Sequence, residues 1–420
     1  MSRHTTRSVL GTLALLSTAA LALTACGSGF SDDTGSSAEP DSLTSSDKPL
    51  SILIGSSGDA ETDAVDAAVA AWSKDSGVKA TVTAASDLNQ QLSQGFAAGS
   101  PADVFYLSTD ALAGYASNGS LLAYGDQLKN KDDFYPSLQT SFTYDDKLYC
   151  APKDFSTLQL IINTDMWDAA GLTDSDIPTD WDQLTSVAKK LTADGHVGLS
   201  MGGEYARVGA FMVAAGGGLM NADSTEATAT ADGNVAALDY LKGMLNDGEM
   251  KFAADLGTGW GGEAFGTQKA AMVVEGNWIT GAMTNDYPDV KYKVAELPAG
   301  PDGDMGTLQF TNCWGIAADS PNQEAALDLV EYLTSTDQQL AFSKAFGVMP
   351  SIQSAADQWK SDNPTLAPFL AGADYAMSMP TIKGAADVVT DFNSKIGALA
   401  TADPQAILDS AQKNLEALLK

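Results

Sequence analysis

Three tryptophans in this sequence stand beside glycine and small polar residues; they are Trp260 in segment 259–263, Trp278 in segment 276–278 and Trp314 in segment 312–315. A tryptophan flanked by such residues leaves one face of its indole ring open to a ligand. Flat aromatic rings cover the apolar C–H faces of sugars, and nearby carboxylates and amides bond to the hydroxyls. The pattern therefore predicts a site for a polyhydroxylated ligand, with core packing as the alternative for any single ring.

The chain offers few residues for metal or nucleophilic chemistry. Beyond the first 26 positions it contains one histidine, His196, and two cysteines, Cys150 and Cys313. A zinc site is nearly excluded by this inventory, and a histidine-based triad would have to use His196. That residue follows Asp194 and Gly195 in a segment typical of a turn, so a solvated histidine is the better interpretation. We expect neither a metal nor a cofactor.

Alternating strands and helices position these residues. Segment 50–54 is a short apolar strand, and segment 59–74 has apolar residues at helical spacing. A β-branched strand over 78–84, a helix over 88–97 and a strand over 103–107 follow. This order predicts a parallel sheet covered by helices, with ligand-binding loops at the carboxyl ends of its strands. Three further tryptophans at helical positions are expected to pack in cores: Trp167, Trp181 and Trp359.

The N-terminal segment 1–25 has the composition of an export signal. Arg3 and Arg7 precede a short apolar run over 9–23 that is built mainly from alanine, leucine and threonine. Such a run is too short to span a bilayer securely but is typical of a secretory signal peptide.

The end of this segment, 23–26, resembles a bacterial lipobox, in which the cysteine is lipidated and becomes the mature N-terminus. The resemblance implies lipidation of Cys26, and a plain signal peptide with a chance cysteine is the alternative. Residues 26–48 are rich in glycine, serine and aspartate and predict a flexible tether. We therefore expect a protein held at the extracellular face of the cell membrane by a lipid anchor alone.

The formal net charge of −31 restricts the classes of partner. An acidic surface repels phosphate backbones and anionic lipid headgroups, so nucleic acid is not an expected partner. Solubility of an exported protein is the simplest interpretation of this charge.

A series of motifs resembles extracellular solute-binding proteins of ATP-binding-cassette (ABC) sugar importers, the maltose-binding-protein-like family. The matching segments, in order, are 99–105, 113–119, 147–152, 161–167, 170–184, 264–272, 275–278, 297–301, 325–333 and 347–351. Each motif is weak alone, but their order extends over nearly the whole chain after the tether. Cys150 departs from the pattern by taking a usual glycine position.

This resemblance implies an α/β fold with two interleaved lobes joined by a hinge, the type II periplasmic-binding-protein-like fold. The expected crossover segments are 151–155, 311–314 and 346–350. The expected boundaries are 49–152 and 314–347 for the N-terminal lobe, and 153–313 and 348–420 for the C-terminal lobe. The resemblance also implies a Cys150–Cys313 disulfide, because both cysteines lie in segments that resemble neighbouring crossover strands and export provides oxidising conditions. Two buried thiols that do not meet are the alternative.

The ligand-binding residues implied by the resemblance and the tryptophan pattern are Asp59, Asp110, Asp154, Tyr205, Arg207, Trp260, Glu263, Trp278 and Trp314. The implied function is capture of a carbohydrate, an oligosaccharide in particular, and its delivery to the permease subunits of an ABC importer. The protein is expected to be a monomer and not an enzyme. Two alternatives stay open. Asp110 and Asp154 could form the carboxylate pair of a lipid-anchored glycoside hydrolase, or the same fold could bind a polyamine or another polar solute.

Overall fold

The computed structural model describes residues 42–193 and 195–420. The predicted signal peptide, Cys26 and most of the predicted tether lie outside these residues. The last part of that tether packs on the folded body: the backbone N–H of Thr44 donates to Gln323 Oε1 at 3.0 Å, and that of Ser46 donates to Asn322 Oδ1 at 3.3 Å. The compact unit therefore starts at Leu43, a few residues before the predicted position 49.

The strands are Leu50–Ile54 (β1), Ala80–Ala84 (β2), Val104–Ser108 (β3), Thr143–Tyr144 (β4), Lys147–Leu148 (β5), Ala151–Asn163 (β6), Val197–Met201 (β7), Met250–Phe252 (β8), Ala270–Gly276 (β9), Tyr292–Ala295 (β10), Thr307–Ile316 (β11) and Ala376–Ser378 (β12). The first strands lie where the sequence predicts them. β1 and β3 carry β-branched and aromatic side chains into the interior, which favours extended backbone.

The helices are Asp59–Ser76 (α1), Leu88–Ala97 (α2), Thr109–Ser117 (α3), Pro136–Ser141 (α4), Thr164–Ala169 (α5), Trp181–Leu191 (α6), Tyr205–Ala214 (α7), Asp232–Asp247 (α8), Gly261–Gly266 (α9), Ile279–Asn285 (α10), Gln323–Leu333 (α11), Thr336–Phe346 (α12), Ala356–Asp362 (α13), Ala367–Ala371 (α14), Ala385–Ile396 (α15) and Pro404–Leu418 (α16). None of the helices in the described ranges combines the length and the apolar composition that crossing a bilayer requires.

The main sheet has the strand order β2-β1-β3-β11-β6-β9-β7-β8. β1 pairs in parallel with β2 and β3, as the sequence predicts, and β7 pairs in parallel with β8 and β9. Between these parallel groups, β11 is antiparallel to both β3 and β6, and β6 is antiparallel to β9. The long strands β6 and β11 thus join two interleaved α/β lobes, and the predicted fold class is confirmed. The boundary positions of the lobes stay a prediction.

The predicted crossover segments lie side by side. Asp154 on β6 is opposite Asn312 on β11, and the register shifts between Asn312 and Cys313 through a bulge. The third segment, 346–350, joins them because the backbone N–H of Phe155 donates to the carbonyl of Met349 at 3.2 Å. Side chains on these segments therefore lie where the lobes meet.

The two lobes have separate hydrophobic cores: Ile52 of β1 packs in one cluster with Val104 of β3, whereas the sheet that contains β7 and β9 has a cluster on each of its faces. β6 is buried along its whole length because its side chains enter different cores on its two faces. Leu158 packs in the cluster that contains Trp167 and Trp181, whereas Phe155 packs in the cluster that contains Trp359. The prediction that these three tryptophans are packing residues is confirmed.

The Cys150–Cys313 disulfide is present, with Cα atoms 5.5 Å apart. That separation lies within the normal range for a disulfide between neighbouring strands. Neither cysteine is exposed, and both pack in a cluster with Phe105 and Leu107 of β3. The bond thus links the residue before β6 to β11, and the predicted pairing of the two cysteines is confirmed.

Candidate ligand-binding site

The candidate site is built on the strands that connect the lobes. β6 carries Lys153 and Asp154, β11 carries Phe310, and β9 ends near Glu275. Charged residues inside otherwise apolar buried strands require partners, because an unpaired buried charge is strongly unfavourable. Two clusters of side chains provide those partners.

The first cluster is centred on Lys153. Its Nζ lies 3.0 Å from Glu61 Oε1 and forms a second ion pair with Asp154 Oδ2. Glu61 also accepts from the Tyr106 hydroxyl at 3.1 Å and from the backbone N–H of Ser57 at 2.8 Å. The Lys153 ammonium lies 4.5 Å from the centroid of the Tyr106 ring, within the range of a cation–π contact.

Local sequence explains how Glu61 reaches this cluster. It is the third residue of α1, a position at which an acidic side chain is favoured by the helix dipole and can reach back to the preceding turn. Ser57 supplies both its backbone N–H and its hydroxyl, the latter at 2.7 Å from Glu61 Oε2. The helix start thereby holds a carboxylate against Lys153.

Burial and pairing oppose each other in this cluster. Burial disfavours the charged form of Glu61, but the Lys153 ammonium and the Ser57 donors outweigh it and hold the pKa of Glu61 below its usual value. Burial raises the pKa of Asp154 in spite of Lys153, and the charge of Glu61 raises it further. Burial opposes the charge on Lys153, yet Asp154, Tyr106 and Glu61 together raise the pKa of Lys153, so it is a cation at neutral pH.

Replacing Lys153 with methionine should destabilise the protein by about 3–5 kcal/mol, because two carboxylates would remain buried without their cation. Urea denaturation measures the change. Lys131→Met is the matched control, because Lys131 pairs with the exposed Asp126 and the loss of a surface ion pair should change the stability little. Equal denaturation midpoints for the two variants would show that the cluster does not depend on Lys153.

The second cluster surrounds Trp278, which precedes α10. Its indole Nε1–H donates to Glu275 Oε2 at 3.0 Å, and Arg207 Nη2 lies 2.6 Å from the same oxygen. Arg207 Nη1 lies 3.1 Å from Glu204 Oε1, and the guanidinium carbon is 5.3 Å from the centroid of the Trp278 ring. Trp278 is 37% exposed. Part of its indole therefore faces solvent while its orientation is set by Glu275 and Arg207.

Glu275 is fully buried behind this tryptophan. Its Oε1 has no hydrogen-bond partner within residues 42–193 and 195–420. Burial raises the pKa of Glu275, and Arg207 and the Trp278 N–H offset only part of that effect. A β-carbon at Gly261 would come within 2.6 Å of Oε1, so the carboxylate occupies space that a side chain at that position would fill.

The platform formed by Trp278 and Arg207, together with the neighbouring Asn277, contacts β11, β6 and the third crossover segment. Trp278 packs edge-to-face on Phe310 of β11, with ring centroids 5.4 Å apart. The neighbouring Asn277 donates its backbone N–H to Ser156 Oγ of β6 at 3.0 Å and its side-chain amide to the carbonyl of Gly347 at 2.9 Å. Because these contacts join the platform to the hinge, its position is coupled to the geometry between the lobes.

Several residues predicted from the sequence fall within these clusters: Asp154 in the first, and Arg207 and Trp278 in the second. Trp260 is half-buried and precedes α9, whose Gly261 abuts Glu275. Asp110 is exposed in the first turn of α3, directly after β3. Carboxylates and an exposed indole in this arrangement can bond to hydroxyls and cover an apolar ring face.

Other predicted residues lie elsewhere. Tyr205 and Trp314 are buried in hydrophobic cores, where Tyr205 packs against Phe392 and Trp314 against Tyr106. Burial raises the pKa of Tyr205 to about 12, consistent with a neutral hydroxyl inside the core. Neither ring has an open face for a ligand, because packing with residues distant in sequence covers both.

Two predicted carboxylates are placed at helix starts. Glu263 accepts from the backbone N–H of Gly259 at 2.7 Å and so stabilises the beginning of α9. Asp59 is exposed at the first position of α1, whereas Glu61, two residues later, turns into the site. A carboxylate two residues beyond the predicted one thus enters the cluster, and a ligand contact by Asp59 stays a prediction.

Three residues of the clusters were missed: Glu61, Lys153 and Glu275. Lys153 and Asp154 are adjacent charges at the beginning of an apolar segment, a signal that both need partners. Glu275 is likewise a charged residue next to an apolar segment, three residues before Trp278. Glu61 had only the weaker signal of an acidic residue in the first helical turn. In the part of the chain that the structure describes, no group of three or more His, Cys, Asp or Glu side chains is placed to hold a metal.

Comparison with known proteins gives a consistent result. The family model for the bacterial extracellular solute-binding protein matches residues 67–368. A Brucella abortus protein described only as a binding protein is 27% identical over 351 residues, which cover 79% of this chain and 83% of that protein. The diacetylchitobiose binding protein DasA of Streptomyces coelicolor is 25% identical over 352 residues, 81% of each chain.

A solved structure, the cyclic alpha-maltosyl-1,6-maltose binding protein of Arthrobacter globiformis, has the same fold. Its TM-score is 0.79 at 21% sequence identity, with 89% of this chain and 99% of that chain covered. The family and these relatives are binding proteins, so the prediction of a binding protein rather than an enzyme is confirmed. The chain belongs to the bacterial extracellular solute-binding protein family.

Proposed function

We propose that this protein captures an extracellular oligosaccharide between its lobes and delivers it to the permease of an ABC importer. The observation that carries the proposal is the partly exposed indole of Trp278, held in place beside buried carboxylates at the junction of the lobes. Such a surface matches a sugar ring, whose C–H face stacks on an aromatic ring while its hydroxyls need polar partners.

The proposed ligand contacts are Trp278, Trp260, Asp154, Asp110 and the guanidinium of Arg207. Trp278 supplies the stacking surface, and the half-buried Trp260 lies on the same lobe beside Gly261. Asp110 is exposed at the start of α3 and is free to accept from a hydroxyl. Asp154 uses one oxygen for Lys153, which leaves the other for a ligand donor.

The names of relatives support a carbohydrate ligand. DasA is named for diacetylchitobiose and the Arthrobacter globiformis protein for a cyclic maltosyl-maltose. Both ligands are oligosaccharides, so we place this chain in the same substrate class. We further propose that it acts as a monomer, with the permease as its protein partner and no nucleic-acid partner.

A thermal-shift screen followed by calorimetry tests this function. The mature protein is mixed with neutral mono- and oligosaccharides, polyamines and short peptides, and each mixture is analysed for hydrolysis products. We expect stabilisation by an oligosaccharide that is recovered intact. Stabilisation by polyamines or peptides alone would exclude the carbohydrate assignment, and release of shortened sugars would support the hydrolase alternative.

The lipid anchor is part of the proposal and rests on the sequence around Cys26. Replacing Cys26 with serine should release most of the protein from the membrane fraction into the medium, because the acceptor of the lipid is removed. Ser36→Ala, in the same predicted tether, is the matched control and should stay with the membrane. Immunoblotting of the membrane and medium fractions measures the distribution. Equal retention of both variants would contradict lipidation at Cys26.

A further inference from the structure

Both cations of the candidate site are shared between two carboxylates. Lys153 is paired with Glu61 at 3.0 Å and also with Asp154. Arg207 uses Nη2 for Glu275 at 2.6 Å and Nη1 for Glu204 at 3.1 Å. Both cations are therefore already paired twice with carboxylates, and Nε is the atom of the Arg207 guanidinium that has no hydrogen-bond partner in the described ranges.

Each cluster also has one more carboxylate than it has cations. The side chains of Lys153, Glu61 and Asp154 are 8%, 4% and 11% exposed, so solvent screens this excess weakly. In the second cluster Glu275 is fully buried, and its Oε1 has no hydrogen-bond partner in the described ranges. When both carboxylates of a cluster are ionised, the cluster therefore carries one negative charge more than its single cation compensates.

We propose that the site ranks carbohydrates by charge: amino-bearing sugars bind better than their neutral counterparts, and acid-bearing sugars bind worst. This inference rests on the proposed function and narrows its substrate class. An ammonium on the ligand offsets the excess carboxylate charge of the two clusters. A carboxylate on the ligand would lose its hydration and lie close to the carboxylates of the site, whose two cations are already paired.

Capture from a mixture of sugars tests the ranking. Immobilised mature protein is incubated with pooled α- and β-linked oligosaccharides in neutral, amino-bearing and uronic-acid forms, and the bound sugars are separated by charge and identified by mass spectrometry. We expect amino forms to be enriched by about three- to tenfold over neutral forms, and acidic forms to be depleted by about tenfold or more.

A variant isolates the contribution of Arg207. Glu204 is 38% exposed, so Glu204→Gln removes one carboxylate from Arg207 with little risk to folding. The variant should reduce the depletion of acidic sugars by about threefold or more. Glu324→Gln makes the same change in net charge at an exposed position on α11 and should leave the selectivity unchanged.

The outcomes separate this inference from the proposed function. Acidic sugars bound as well as neutral ones, or amino forms bound no better than neutral forms, would overturn the charge ranking while carbohydrate binding stands. Identical selectivity of Glu204→Gln and Glu324→Gln would overturn the role assigned to the Arg207 cluster. Capture of no sugar from any class would overturn the proposed function, and the ranking with it.

Discussion

Replacement of Trp278 by alanine is expected to weaken oligosaccharide binding by about 30-fold or more, the loss typical of a residue that anchors an interface. The substitution removes the exposed indole, its contact with Phe310 and the donor to Glu275. Because the side chain is only partly buried, the loss should be seen mainly in affinity and less in stability. Calorimetry with the oligosaccharide that binds best in the screen measures the affinity, and urea denaturation measures the stability.

Two controls make this result specific. Trp278→Phe keeps an aromatic ring but loses the indole N–H, so its affinity should fall between those of the wild type and Trp278→Ala. Leu419→Ala shortens another large exposed apolar side chain, 41% exposed and just beyond α16, and should leave binding unchanged. Wild-type affinity in Trp278→Ala would remove the central stacking residue from the proposed site.

Removal of the disulfide by the double substitution Cys150→Ala and Cys313→Ala should lower the free energy of unfolding by about 3–5 kcal/mol. The bond joins residues 163 positions apart, and closing so long a loop strongly restricts the unfolded chain on the loop-entropy account. Urea denaturation of the variant and the wild type measures the change. A variant with the wild-type midpoint would contradict this stabilisation.

The state of the thiols provides an independent check. Both cysteines are fully buried, so a mild reductant should leave the folded wild type unchanged and destabilise it only after unfolding exposes the bond. Mass spectrometry of the unreduced protein after denaturation in an alkylating reagent should find neither Cys150 nor Cys313 modified. Alkylation of both would show that the bond is absent.

Local patterns explain why so much of the fold was predictable. The β1–α1–β2–α2–β3 order follows from the spacing of apolar residues within short segments. A strand or a helix buries the side chains of one face, so the spacing of apolar residues in that segment alone indicates which of the two it forms. The crossover segments and the cysteine pair followed from the order of motifs along the chain. Leu43–Ser46 were placed in the tether because their composition is polar, and their contacts with α11 could not be seen locally.

The candidate site was predictable only in part. Trp260, Trp278 and Trp314 have similar neighbours in the sequence, yet their exposure ranges from 37% for Trp278 to 1% for Trp314. The difference arises from packing: Trp314 meets Tyr106 on a neighbouring strand, whereas part of Trp278 stays open at the junction of the lobes. Flanking glycines allow a ring to be exposed but do not require it.

The sequence by itself therefore determined the alternation of strands and helices in the first lobe, and its resemblance to a known family supplied the two lobes, the crossover segments and the bonded cysteines. The role of Trp278 in the proposed site stays a prediction. The charge arrangement around that tryptophan required the folded chain. Lys153 meets Glu61 across 92 positions and Arg207 meets Glu275 across 68, and neither pair is marked by a local motif. Ionic pairing depends on distance and burial, and these are properties of contacts between remote segments rather than of residue type.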